Sequence, residues 1–210
     1  MTEKATDRPV AVVTGASRGI GAATAVAFAQ RGHDVALLAR SADDLHAVAQ
    51  QVRDAGGEAL VLPVDLADVA VGERAVDEVV AHFGRIDVLV NNAAWRELVT
   101  LRTIGLESWE KTLRICVTTP MFMARRAAAD MERRGRGAII NVSSVQSRRA
   151  SGIAPAYIAA KGALDAMAYE LAALYGPSGV RAVTINPGAT ATEMSADYIS
   201  DDGENLSEKL

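Results

Sequence analysis

Six short, nearly unbroken apolar stretches punctuate the chain, at residues 10–14, 34–39, 59–64, 86–91, 138–143 and 180–186. Each has the length of a strand, and the lack of a polar alternate position predicts strands covered on both faces, as in a parallel sheet. Between them, residues 20–31, 42–55, 69–83, 109–134 and 155–175 carry apolar side chains three and four apart, the period of a helix. Gly32, Gly56, Gly84, Gly135 and Gly176 follow these helices, where a left-handed residue terminates a helix well. Strand and helix in alternation predict right-handed crossovers and an α/β fold: a doubly wound parallel sheet with helices on both faces. Residues 1–8 read as an N-terminal tail. Past Gly188 the sequence turns polar and acidic with no further strand-like run, so residues 189–210 read as a flap or frayed tail and the C-terminal end as shortened.

Composition narrows the function classes. A length of 210 residues fits one domain, and with 50% hydrophobic and 23% charged residues the chain can bury a sizeable core. A net charge of −4 offers no general field for nucleic acid, and no stretch approaches a membrane-spanning length. Cys116 is the single cysteine, so no internal disulfide forms and a reducing cytoplasm is the expected compartment. The three histidines, His33, His46 and His82, have no metal-ligand spacing, so no metal site is expected.

Chemistry concentrates where strands are expected to end. Gly15, Ser17, Arg18, Gly19, Ile20 and Gly21 follow the first strand and open the first helix, a context in which backbone N–H groups and the positive helix end meet a pyrophosphate. Glycine is required there because a Cβ would block close approach. A carboxylate at the end of the second strand would bind a ribose 2′-hydroxyl and repel a 2′-phosphate, but that position is Ala39. Arg40 follows it and Arg18 lies in the glycine turn, so two guanidiniums favour NADP(H) over NAD(H). Asp65, Asn91 and Asn92 also fall at strand ends. Tyr157 and Lys161 are four apart, hence on one helix face, where an ammonium stabilises a phenolate and makes the tyrosine an acid/base near working pH. Ser144, ending the fifth strand, is placed to share a substrate oxygen with that tyrosine.

With these motifs in this order, the chain resembles the short-chain dehydrogenase/reductase family in its simple single-domain form. The resemblance runs from about Pro9 to Met194 and rests on TGASRGIG, Asp65, NNAA, the Ser144, Tyr157 and Lys161 set, and NPGATAT. It implies a Rossmann-type sheet forming one dinucleotide-binding and catalytic domain over residues 1–210. It also implies hydride transfer between a nicotinamide and a carbonyl or alcohol carbon. By the same resemblance Tyr157 is the acid/base, Ser144 orients the substrate, and Lys161 holds the nicotinamide ribose. Asp65 meets the adenine, Asn91 and Asn92 shape the cofactor floor, and Pro187, Gly188 and Thr192 contact the nicotinamide end. The family usually carries, after the fourth strand, an asparagine that anchors a proton-relay water; here that position is Cys116. It usually continues into another helix and an edge strand, which are expected to be missing.

Trp95 and Gln146 are candidate substrate contacts, while Arg148 and Arg149 read as a solvated loop. Arg125, Arg126, Arg133, Arg134 and Arg136 read as a wet helix end. The resemblance further implies a small-molecule substrate and a homodimer through the helices at 109–134 and 155–175. A competing reading is a dinucleotide-binding or vestigial protein with little turnover. A nucleotide-sugar epimerase would want a different glycine spacing and a separate substrate domain.

Overall fold

The unbroken apolar runs become strands because each of their faces meets a layer of helix. A computed structural model describes residues 7–196. Strands β1 (Val10–Thr14), β2 (Asp34–Ala39), β3 (Ala59–Pro63), β4 (Val88–Asn91), β5 (Gly137–Val142) and β6 (Val180–Ile185) form one sheet in the order β3-β2-β1-β4-β5-β6. Every pairing is parallel, with Val12 opposite Ala36 on one side and Leu89 on the other. Alternate residues serve different cores. Val10, Val12, Leu38, Leu89 and Ile139 pack with Val76, Phe83, Met123 and Met131, from helices α3 (Val69–Phe83) and α5 (Thr119–Arg133). Val13, Val35, Leu37, Val90 and Val142 pack with Ala25, Leu45 and Val48, from α1 (Gly19–Gln30) and α2 (Ala42–Asp54). The expected doubly wound sheet with helices on both faces is therefore what forms.

The helix expected over residues 109–134 is broken. It consists of α4 (Leu106–Leu113), a π-helical turn (Arg114–Thr118) and then α5. Pro120 supplies the reason, since it has no N–H to give the Cys116 carbonyl and its ring crowds that position. The wider turn relieves the clash, with the Thr119 N–H donating to the Arg114 carbonyl five residues back. Helix α6 (Pro155–Tyr175) runs as expected, but Gly176 is not its left-handed terminator. Its φ is −57°, because the chain makes one more 3₁₀ turn (Gly176–Ser178) and delays the left-handed residue to Gly179, at φ 80°.

Arg8 and Arg134, expected in loose or solvated stretches, are both tied down. Arg8 donates to the Gly32 carbonyl at 3.1 Å and pairs with buried Asp34 at 3.4 Å, so the described end of the N-terminal segment is anchored. Arg134 is no wet helix end: it pairs with Asp87 at 3.0 Å and with Asp130 at 2.9 Å, and it bonds the Ile86 carbonyl. Asp130 also accepts the Ile86 N–H, and Arg85 grips Asp87 at 2.8 and 2.7 Å. This network gathers at residues 86 and 87, just before β4, where the Asp87 backbone also bonds Val10 and Ala138 at 2.9 Å. Arg125 and Arg126 pair across to Glu73 and Asp77 on α3. Of the segment expected as a flap, residues 189–196 are described and include the short α7 (Glu193–Ala196); residues 1–6 and 197–210 lie outside the described residues. Among the described residues no helix is long and apolar enough to cross a membrane, and no group of three metal-ligating side chains occurs.

Candidate active site

β1 lies between β2 and β4, so the chain leaves β1 toward one edge of the sheet and later returns to build toward the other. The strand ends diverge there and leave a crevice. A cleft of about 760 Å³ fills it, running from Arg40 at one end to Tyr157 at the other.

The glycine turn builds the middle. Gly15 and Gly19 adopt φ +63° and +54°, which L side chains rarely reach. A Cβ on Gly15 would sit 2.9 Å from the Ala93 Cα, and one on Gly21 would run into the Gly15 carbonyl oxygen. Gly21 does not line the cleft; it lets α1 pack against its own turn. Thr14 and Asn92 lock that turn to β4. The Thr14 hydroxyl oxygen accepts the N–H groups of Asn92 and Ala93 at 2.9 and 3.0 Å. The Asn92 amide in turn donates to the Thr14 and Gly15 carbonyls at 2.9 and 3.2 Å. Ser41 caps α2 and Asp68 caps α3, but Arg18 gives α1 no side-chain cap and its first turn holds no acid. Its N–H groups are left for an anionic ligand, so the cradle fits a dinucleotide pyrophosphate.

Asn91 departs from expectation. It is buried, its amide donates to the Asn141 carboxamide oxygen at 3.0 Å, and it faces β5 instead of the cleft. Strand alternation is the reason, since neighbours in a strand point to opposite sides. Asn92 therefore takes the cleft side alone. Gly15, Ser17, Arg18, Gly19, Ile20 and Arg40 do line the cleft, as do Asp65, Trp95 and Gln146. Pro187, Gly188 and Thr192 close its other wall. Asp65 accepts the Ala67 N–H at 2.9 Å, which shapes the turn after β3. Arg18 and Arg40 are exposed, with no ion pair to any described residue. Sequence reasoning missed Ser41 and Asp44, which line the same end, and Arg96 and Met194, which line the other. Asp44 had a signal: it lies four residues after Arg40, on the cleft side of the α2 start.

At the far end, α6 brings Tyr157 and Lys161 together, with the ammonium nitrogen 5.2 Å from the phenol ring centroid. Ser144 lines the same wall, and its Oγ accepts the Gln146 N–H at 3.1 Å. Lys161 is buried, and Nζ donates to the Val142 carbonyl at 2.6 Å. Burial pushes the ammonium below its ordinary range, partly offset by Asp165. Cys116, also fully buried, is pushed up by desolvation and remains a thiol. Its sulfur lies 3.5 Å from both the N–H and the carbonyl of Trp95, so it tethers that backbone. Asp165, one turn beyond Lys161, accepts the Asn186 amide at 3.0 Å, and Asn186 also bonds the Ser144 carbonyl at 3.2 Å. Burial would raise this carboxyl, but hydrogen bonds from Ser147, Asn186 and Ser143 and the charge of Arg148 hold it below its usual range. Arg148 is thus a weak ion-pair partner at 4.0 Å as well as an exposed loop residue.

Known proteins resemble this one along most of its length. The family model described as short chain dehydrogenase matches residues 9–203. The short-chain reductase protein NovJ of Streptomyces niveus is 41% identical over 185 residues, covering 88% of this chain and 70% of that protein. D-threitol dehydrogenase of Mycolicibacterium smegmatis is 37% identical over 188 residues, covering 90% and 72%. An NAD+-bound xylitol dehydrogenase structure superposes with a TM-score of 0.82 at 30% identity, covering 86% of this chain and 70% of that one. A metagenomic short-chain oxidoreductase in complex with NADP gives 0.83 at 36%, covering 87% and 83%. Fold, glycine turn and sequence agree: the chain belongs to the short-chain dehydrogenase/reductase family, enzymes that act with NAD(P) on alcohol and carbonyl groups.

Proposed function

We propose that this chain is an NADPH-preferring oxidoreductase that transfers a hydride between the nicotinamide and a carbonyl or secondary alcohol carbon, with Tyr157 as acid/base. One observation carries the reading: Tyr157, Lys161 and Ser144 line the end of the same cleft whose middle is built by the glycine turn. When bound, the nicotinamide supplies or takes up the hydride. The chain's own side chains manage the oxygen and its proton. In reduction, Tyr157 gives its phenolic proton to the carbonyl oxygen as negative charge builds there. Ser144 already accepts the Gln146 N–H, which leaves its hydroxyl hydrogen to donate to the same oxygen. Lys161, fixed by the Val142 carbonyl, sets a positive charge beside the phenolate that results. Oxidation runs these steps backward, with the phenolate as base.

The cofactor assignment follows the cleft. Gly15, Ser17, Gly19 and Ile20 hold the pyrophosphate, Asp65 the adenine end, and Pro187, Gly188 and Thr192 the nicotinamide end. NADP(H) is preferred because Arg18 and Arg40 stand where a carboxylate at Ala39 would repel a 2′-phosphate. Asp44 weakens that preference without cancelling two guanidiniums. Structures similar to this chain carry NADP in one case and NAD+ in another, so the preference rests on these residues. Exposed Phe122 on α5 and Tyr169 on α6 support a homodimer through these helices, and light scattering that finds a stable tetramer would contradict it.

The test is NADPH oxidation across ketones, aldehydes and quinones, with Tyr157→Phe beside the parent. The parent should turn over, and the variant should bind NADPH with turnover lower by about 10²–10⁴. Undiminished turnover removes Tyr157 from the role. NADPH binding with no turnover on any carbonyl would instead favour a dinucleotide-binding protein with little activity.

A further inference from the structure

We propose that Arg96 is a positioning residue: it fastens the segment 187–194 across the cleft and, from the same place, holds Tyr157 toward its phenolate form. The inference rests on the acid/base reading of Tyr157. Residues 187–194 form one wall of the cleft and touch it at both ends. At the phosphate end, Thr192 packs so closely on Gly19 that a Cβ there would lie 3.2 Å from its methyl group. At the chemical end, the Arg96 Nη2 donates to the Met194 carbonyl at 2.6 Å, joining residues 98 apart in sequence. The guanidinium carbon of the same side chain stands 5.8 Å from the Tyr157 ring centroid. One cation therefore latches the strap and faces the proposed acid.

The base of this side chain is well held. Cys116, in the π-helical turn, bonds both backbone groups of Trp95, and the Lys111 ammonium sits 4.4 Å from the Trp95 ring centroid. With Trp95 pinned on two sides, the Arg96 backbone is held where its side chain reaches both Tyr157 and the strap. Among the described residues, the other charged and titratable groups around the tyrosine have these places. Lys161 lies 5.2 Å from the ring centroid on α6, and Cys116 stays a neutral thiol below. Asp165 is turned to Asn186, Lys111 to Trp95, and Glu193 is exposed on α7. A charge about 6 Å from the ring, at an effective dielectric between protein surface and water, shifts a phenol by about one pH unit. A charge-assisted hydrogen bond to the strap changes its opening by about tenfold.

Two substitutions separate the roles. Arg96→Lys keeps the charge on an arm one atom shorter, which ends short of the Met194 carbonyl; Arg96→Gln is two atoms shorter and loses the charge as well. Alcohol oxidation needs the phenolate, so its rate rises with pH through the tyrosine's titration, and removing a cation moves the midpoint upward. Arg96→Gln should raise the midpoint by about one pH unit and speed NADPH dissociation, followed by its fluorescence, by about tenfold. Arg96→Lys should leave the midpoint in place and speed dissociation by about tenfold. Arg96→Ala should do both. Parent values of midpoint and dissociation rate in Arg96→Gln and Arg96→Lys overturn the proposal, and these two decide it even if Arg96→Ala does not fold. Tyr157→Phe keeps the two readings apart. If it retains turnover, the acid/base reading and the pH half of this inference both fall, while the dissociation rates still decide the latch. If it loses turnover and the Arg96 variants behave as the parent, only the inference falls.

Discussion

Replacing Lys161 with methionine tests whether the site's central cation is carried at the expense of the fold. The side chain is 2% exposed and forms no ion pair with any described residue; Nζ has the Val142 carbonyl as its hydrogen-bond partner. Burial of the ammonium disfavours its charged form, and its pKa falls below the ordinary 10.5. Exchanging a buried charge for an apolar side chain of similar volume is worth from nothing to about 4 kcal/mol in stability. Against this, the Val142 carbonyl loses a donor, at a cost of about 1–3 kcal/mol. With Asp165 offsetting desolvation only in part, burial wins, and Lys161→Met should be more stable than the parent by about 1–2 kcal/mol. For a chain of this size that raises Tm by about 2–8 °C. The gain also depends on pH. Between the folded pKa and 10.5 the unfolded lysine holds a proton that the folded one has released, so the parent gains stability as pH rises and the gap to the variant closes. Thermal denaturation followed by circular dichroism at pH 7 and at pH 10 reads both effects. Turnover should fall by about 10² or more while NADPH binding weakens. A variant less stable than the parent at pH 7, or a gap unchanged at pH 10, would refute the reasoning.

Asp87→Ala removes the common acceptor of Arg85, Arg134 and the Val10 N–H, and should cost about 3–5 kcal/mol by urea denaturation, because the arginines are left without their partner. Burial alone would raise this carboxyl, but the Arg85 and Val10 hydrogen bonds and both arginine charges hold it below 3.8, so its contribution is present above that pH and is lost as pH falls through the lower folded value. Arg40→Ala should narrow the gap between NADPH and NADH dissociation constants by about 1–3 kcal/mol, while Asp44→Asn should widen it; equal constants in the parent would sink the assignment. Cys116→Asn gives the Trp95 backbone a stronger donor and acceptor but puts a larger amide in a fully buried turn. It should raise turnover if proton relay limits the parent and lower stability by about 1–3 kcal/mol where the amide lacks partners, read by activity and Tm together.

Some of this molecule is local chemistry and was legible residue by residue. Gly15, Gly19 and Gly21 announce a backbone that cannot bear a Cβ, and Tyr157 and Lys161 share a helix face by spacing alone. The double cover of the sheet is written in Val10 to Val13, where no position is polar. Pro120 was equally legible as a missing N–H, yet the apolar period across residues 109–134 hid the break, because a π turn adds one residue without disturbing either flanking stripe. Asn91 and Asn92 look interchangeable as letters; the register of β4 against β5 sends one to Asn141 and the other to the glycine turn. Which carbonyl Arg96 meets, and that Arg134 reaches Asp87, depends on segments 98 and 47 residues apart brought together by crossovers. No periodicity encodes such a meeting. Helix and strand repeats follow from bonds between near neighbours, whereas these contacts exist only after the sheet has set the order of its strands.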